Sequence, residues 1–295
     1  MKAMKGPALC AMLAALGTLI APVGTHAVQP RPQPKSPRLY VFDCGTLEGD
    51  PARFNFRREE MATTDMSVAC YLVVHAKGTL IWDTGAVPDV DVKFENQPTR
   101  HHIVLTNSER YVTLAKSLKS QLADAGFSPG DMTYLALSHY HYDHTANANE
   151  FASATWLVRQ VERDAMFAKK PPDLIQRATF NALRNSKTVI IKTDDYDVFG
   201  DESVVIKWAP GHTPGHQVLF VKLAKTGPVL LSGDLYHYPE ERTLDRVPTF
   251  DVDPALTRRT RTAIETFLKK SRAQLWIQHD FIANAALKKG PAFYD

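Results

Sequence analysis

The sequence predicts an α/β protein folded as a four-layer αβ/βα sandwich, two sheets packed face to face with helices outside. Three observations carry that expectation. Strands followed by a helix occur twice, over residues 39–125 and 188–270, an order that stacked sheets with outer helices accommodate. No linker or shift in composition interrupts residues 39–295, which read as a single domain. Several strands also end in histidine or aspartate, as they would if ligands converged at one sheet edge.

Taken in order, Leu39–Cys44 reads as a first strand. Ser67–His75 and Thr79–Asp83 are two more, joined through Ala76-Lys77-Gly78 as a hairpin. Residues 89–107 are polar and irregular, long enough to form a lid, and His101 and His102 within them read as solvated loop residues. Val112, Ala115, Leu118, Leu122 and Ala125 recur at helical spacing over Glu109–Ala125, with Gly126 to end the helix. Thr133–Ser138 is a buried strand and Thr155–Val158 a short one. Helices follow at Gln160–Ala168 and Asp173–Arg184, around Pro171-Pro172. Strands return at Thr188–Lys192, Val204–Trp208, Val218–Leu223 and Pro228–Ser232. Pro254–Lys270 is a helix with proline in its first turn, and Gln274–Gln278 is a last strand.

The N-terminus belongs to transport. Lys2 and Lys5 precede the apolar run Ala8–Ile20, and Thr25-His26-Ala27 offers small residues for cleavage, the pattern of a signal peptide over residues 1–27. The run is too short for a membrane span, though an uncleaved anchor is the alternative. Export to the periplasm or medium is therefore expected. Pro30, Pro32, Pro34 and Pro37 make residues 28–38 an extended tether. The chain is 44% hydrophobic and 23% charged, ordinary for a soluble globular protein. Its formal charge of +3 falls once Lys2 and Lys5 leave, so no nucleic-acid footprint is expected, and none with membrane after cleavage. Cys44 and Cys70 remain. An exported protein can bridge them, but they read more readily as two small buried hydrophobes.

The densest chemistry lies in Ser138-His139-Tyr140-His141-Tyr142-Asp143-His144. Four ligand-type side chains at one corner bury poorly without a partner. A divalent metal supplies one, and Zn²⁺ favours imidazole with carboxylate. The cluster sits on a strand-to-helix turn, so His139 and His141 can face one point, and Asp143 and His144 another close by: a dinuclear site. Further candidates stand at later strand ends, in Pro210-Gly211-His212-Thr213-Pro214-Gly215-His216, Ser232-Gly233-Asp234 and Gln278-His279-Asp280.

These motifs, with Trp82-Asp83-Thr84-Gly85, resemble the metallo-β-lactamase-fold hydrolases over nearly all of residues 39–295. The resemblance implies that His139, His141 and His216 hold one metal. It implies that Asp143, His144 and His279 hold the second and that Asp234 bridges them. His212 matches a non-ligand histidine, and Asp83 an outer residue that orients a ligand. Within the fold, Cys70-Tyr71-Leu72-Val73-Val74, Ser232-Gly233-Asp234-Leu235-Tyr236 and Val247-Pro248 with Asp253 are similar to the N-acyl-homoserine-lactone lactonases of quorum quenching. Those carry a tyrosine three residues after the bridging aspartate, as donor to the substrate carbonyl. Here that place is His237, between Tyr236 and Tyr238, which an extended backbone points the other way.

The resemblance implies two divalent metals, zinc first, with iron, cobalt or manganese as alternatives. It also implies a small-molecule lactone substrate and a possible homodimer. Two metals acidify a shared water and polarise the carbonyl under attack. Asp143 would carry the proton to the leaving alkoxide, and His237 or a flanking tyrosine, Tyr236 or Tyr238, would steady the oxyanion. No Gly-x-Ser-x-Gly elbow is present. Rival readings within the fold are a glyoxalase II-type thioesterase, for which Lys288-Lys289 is a thin basic match, a β-lactamase, and an iron oxidoreductase.

Overall fold

A computed structural model of the protein describes residues 1–4, 6 and 33–295. The expected signal peptide and residues 28–32 of the tether lie essentially outside those residues. Residues 33–295 form one compact unit.

The first sheet contains β1 (Arg38–Glu48), β2 (Asp65–His75), β3 (Gly78–Trp82), β4 (Thr99–Val104) and β5 (Glu109–Leu114). It also holds β6 (Tyr134–Ala136), β7 (Thr155–Val158) and β8 (Thr188–Ile190). The order is β4-β5-β1-β2-β3-β6-β7-β8, with β14 (Phe293–Tyr294) also pairing β1. The second sheet runs β13 (Gln274–Trp276), β12 (Gly227–Leu231), β11 (Gln217–Leu223), β10 (Val204–Trp208) and β9 (Asp195–Asp197).

Alternation along β1 divides the layers. Leu39 and Val41 face inward, where they join Val73, Leu80, Val204, Leu219 and Leu231 in the core between the sheets. Tyr40 and Phe42 face the other way, with Leu72 and Ile81, against α1 (Leu118–Asp124) and α3 (Gln160–Met166). On the far side, Val218, Phe220 and Leu230 pack on Ile264 and Leu268 of α5 (Pro254–Ser271). This is the αβ/βα sandwich the chain predicts. The remaining helices are α2 (Tyr142–Thr145), α4 (Pro239–Leu244) and α6 (Phe281–Ala286).

Four expectations need correction. Glu109–Ala125 is not one helix. Its first half is β5, which pairs with β4 and, through Val112 and Thr113, with Leu47 and Thr46 of β1. Helix α1 begins only after Ser117, whose hydroxyl accepts from Ser120 N–H, while the Asp89 carboxylate accepts from Leu118 and Lys119 N–H. Residues 89–107 are likewise not all irregular, because β4 forms a hairpin with β5. His102 is exposed there, stacked on Tyr111 and paired with Glu109. Residues 173–184 form two short 3₁₀ turns, Arg177–Thr179 and Asn181–Asn185, in place of a helix. Leu174 just before them has φ +60°, which an α-helix does not admit. Finally, Cys44 and Cys70 are a disulfide with Cα atoms 5.9 Å apart. The β1–β2 register places Cys70 opposite Phe42, and the irregularity between Asp43 and Thr46 swings Cys44 across to it.

Candidate metal centre

The site stands where strands of both sheets stop. After β6 the chain turns into the four-residue helix α2, and the turn carries His139, His141, Asp143 and His144. His212 follows β10, Asp234 follows β12 and His279 follows β13. All seven are buried. Gly233 is required at its position: it has φ +48°, and a Cβ there would lie 2.8 Å from His216 Nε2 and from Ser138 Cβ.

Asp234 is the centre of the arrangement. Its Oδ1 lies 3.0 Å from both His144 Nε2 and His279 Nε2. Its Oδ2 lies 3.4 Å from His139 Nε2 and 3.3 Å from His212 Nε2. His212 Nε2 is also 3.0 Å from His141 Nδ1. Asp143 closes the first side, at 3.9 Å from His144 Nε2 and 3.8 Å from His279 Nε2. Two ligand groups result, His139, His141, His212 and Asp234 in one, Asp143, His144 and His279 in the other.

This corrects the ligand set at one residue. His212, and not His216, completes the first group. Both ring nitrogens of His216 are engaged elsewhere: Nδ1 with the Ala209 carbonyl at 2.9 Å, and Nε2 accepting from Asp234 N–H at 2.9 Å. His216 thus braces the strand end that presents Asp234, and burial pushes its imidazole down to about 3.

Outer partners fix the ligands, as metal-binding histidines require. Asp83 Oδ2 lies 2.9 Å from His144 Nδ1, and its Oδ1 accepts from Ser138 N–H at 2.6 Å. His279 Nδ1 meets the Ser67 carbonyl at 2.6 Å. Asp251 Oδ1 holds His212 Nδ1 at 2.8 Å, and Thr257 donates to its other oxygen. Glu162, also buried, ties the two motif loops together by accepting from Tyr140 N–H, Gly215 N–H and the Thr213 hydroxyl. Asp83 had a sequence signature. Asp251 and Glu162 had none, since their partners are distant in the chain.

The donors suit divalent cations. His144 Nε2, His279 Nε2 and Asp234 Oδ1 are buried, aimed at one another and, among the described residues, lack any hydrogen-bond partner, an expensive state without a cation between them. Burial, reinforced by neighbouring imidazoles, holds His139 and His141 well below the usual histidine value, in the neutral form that binds metal. Burial opposes ionisation of Asp234 but is outweighed by His144, His279, His139 and His237, which hold its carboxyl well below the usual range.

A cavity of about 350 Å³ opens onto this centre. Leu47, Phe54, Met66, Leu174 and Phe250 give it an apolar wall, and Arg53 and Arg110 stand among its polar residues. His237 lines it too, with Nε2 3.2 Å from Asp234 Oδ2. Burial lowers the His237 imidazole, but Asp234 and Glu241 outweigh it and raise it to about 10. The flanking tyrosines point away, as alternation requires: Tyr236 O–H donates to Glu265 and Tyr238 O–H to the Thr64 carbonyl.

The family profile described as the metallo-beta-lactamase superfamily matches residues 63–273. Among similar proteins is the N-acyl homoserine lactonase AttM of Azorhizobium caulinodans, 29% identical over 88% of this chain and 98% of its own. The N-acyl homoserine lactonase AiiA of Bacillus thuringiensis subsp. kurstaki is 26% identical over 87% and 98%. A solved N-acyl homoserine lactone hydrolase, with the product N-hexanoyl-L-homoserine at its catalytic metal centre, superposes with a TM-score of 0.71. It is 24% identical and covers 88% of this chain and 99% of that one, a likeness of fold.

Proposed function

Because the chain belongs to the metallo-beta-lactamase superfamily, we propose that it is a dinuclear metal hydrolase that opens the lactone ring of N-acyl homoserine lactones. The observation that carries this is the single carboxylate, Asp234, set between two groups of imidazoles beneath a cavity lined by apolar and charged side chains together. Full-length similarity to proteins named N-acyl homoserine lactonases supports the choice of substrate.

His139, His141 and His212 would hold one cation and Asp143, His144 and His279 the other, with Asp234 shared. Imidazole and carboxylate donors favour zinc. When bound, such a pair supplies an acidified water as nucleophile and a Lewis acid for the carbonyl. The protein does the rest. The apolar wall receives the acyl chain and keeps bulk water from the reacting bond. Asp143 takes the proton released as the new C–O bond forms and delivers it to the ring oxygen as the old bond breaks. His237, on the cavity wall, donates to the acyl oxygen in place of a tyrosine. The product is the open hydroxy acid, with no covalent enzyme intermediate.

We also propose that the chain is exported and cut after Ala27. The basic start, apolar run and small residues support this, and so does a disulfide, which persists in oxidising compartments.

A pH-drop assay tests the function on homoserine lactones of several chain lengths beside a β-lactam and a glutathione thioester. Faster turnover of the thioester or the β-lactam than of every lactone would refute it.

A further inference from the structure

Behind His237, on the side away from the metal centre, the structure holds a buried charge pair that ligand binding does not explain. Glu241 is fully buried. It is the third residue of α4, and its side chain folds back along the helix start. Oε2 accepts from His237 N–H at 3.2 Å and from Arg261 Nη2 at 2.5 Å. Arg261 is itself clamped, donating from Nε to the Leu235 carbonyl at 2.8 Å and from Nη1 to the Arg246 carbonyl. The other oxygen, Oε1, faces His237 Nδ1 at 3.2 Å. Among the described residues neither of those two atoms has a hydrogen-bond partner.

A buried carboxylate oxygen that can only accept is costly unless a donor meets it. Nδ1 is the group that faces Oε1. The faces of the His237 ring are packed as well: Phe54 and Phe250 lie 5.0 and 5.6 Å away, and His279 is stacked parallel at 5.6 Å. With its Nδ1 edge turned to Glu241, the ring presents Nε2 toward Asp234 Oδ2, 3.2 Å away, where both residues line the cavity.

We propose that Glu241 is a positioning residue for His237. Braced by Arg261, it fixes the imidazole edge-on so that Nε2 is aimed at the acyl oxygen, a role that rests on the lactone-opening reading above. A tyrosine at position 237 would carry its hydroxyl at the ring tip and would need no carboxylate behind it. Glu241 and Arg261 are thus the support that histidine at this position demands, and helix capping alone would use only Oε2.

The test compares E241Q in two backgrounds. Glu241→Ala would strip Arg261 of its counter-charge in the core, so the isosteric glutamine carries the experiment. With His237 in place, E241Q lowers kcat for a homoserine lactone about 10-fold, the scale of losing an outer-shell partner, while KM stays near the parent value. In the H237Y background, where the donor needs no brace, the same change alters kcat less than about twofold, a coupling that neighbouring groups show and independent ones do not. A second readout needs no turnover. In ¹⁵N-edited NMR of the histidine rings of the metal-loaded protein, assigned by loss in H237Y, the Nδ1–H signal of His237 is present in the parent and lost or moved in E241Q. Equal kcat losses in both backgrounds, or an Nδ1 signal untouched by E241Q, overturns the proposal. If the parent opens no lactone, the function fails by itself and the NMR comparison alone decides the role of Glu241.

Discussion

Replacing both Cys44 and Cys70 by alanine removes a covalent tie whose effect can be worked from the fold. The bridge spans 26 residues of chain. The loop-entropy relation then gives a stabilisation of about 3.5 kcal/mol through restriction of the unfolded chain. For a protein of this size that corresponds to a fall in Tm of roughly 7–14 °C. A second effect is local. Gly85 sits on the bridge, where an added Cβ would be 3.1 Å from Cys44 Cβ. The turn it belongs to holds Thr84, whose N–H and hydroxyl both donate to the His144 carbonyl. Loss of the bridge therefore loosens His144 and weakens cation retention in its group. The assay is calorimetric unfolding of parent and double variant at equal metal loading, with a reductant titration of the parent alongside and competition with a chelator for the metal readout. A double variant that melts within a degree of the parent and holds metal equally well would refute the reasoning.

Three further outcomes are expected. By elemental analysis, His212→Ala retains about one cation of two and Asp234→Ala about none, whereas His216→Ala keeps both and loses about 1–3 kcal/mol of stability through unmet partners; metal loss in His216→Ala with retention in His212→Ala would reverse the ligand assignment. N-terminal sequencing of protein from an exporting host begins at Val28, and a mature chain still starting at Met1 contradicts export. Burial raises the Glu162 carboxyl from 4.5 to about 7 against its hydrogen bonds, so the folded state holds this proton more tightly than the unfolded chain; the resulting stabilisation is complete below about pH 4.5 and fades as pH rises to 7, by about 3 kcal/mol. Denaturant unfolding of metal-free parent and E162Q across that range checks it, and parallel pH profiles contradict it.

How much the chain discloses depends on how local each determinant is. The hairpin of β2 and β3 is legible because alternation, turn and Gly78 are contiguous. The ligand turn after β6 is legible because its residues crowd into a few positions. The choice between His212 and His216 is not, since both follow Pro-Gly or Thr-Pro-Gly in one short loop. It is settled by Asp251 behind one ring and the Ala209 carbonyl behind the other. Strand β5 hides for a similar reason: Val112, Ala115 and Leu118 fit a helix stripe, and pairing with β4 and with residues 46–47 of β1 decides otherwise. The disulfide likewise depends on the β1–β2 register.

The seven ligand candidates come from both sheets: His139, His141, Asp143 and His144 follow β6 of the first, and His212, Asp234 and His279 follow strands of the second. Cations held there are rivets through the seam of the sandwich. Their binding energy adds directly to the energy of keeping the halves together. Chelation of those cations is therefore expected to lower the melting temperature of the whole sandwich.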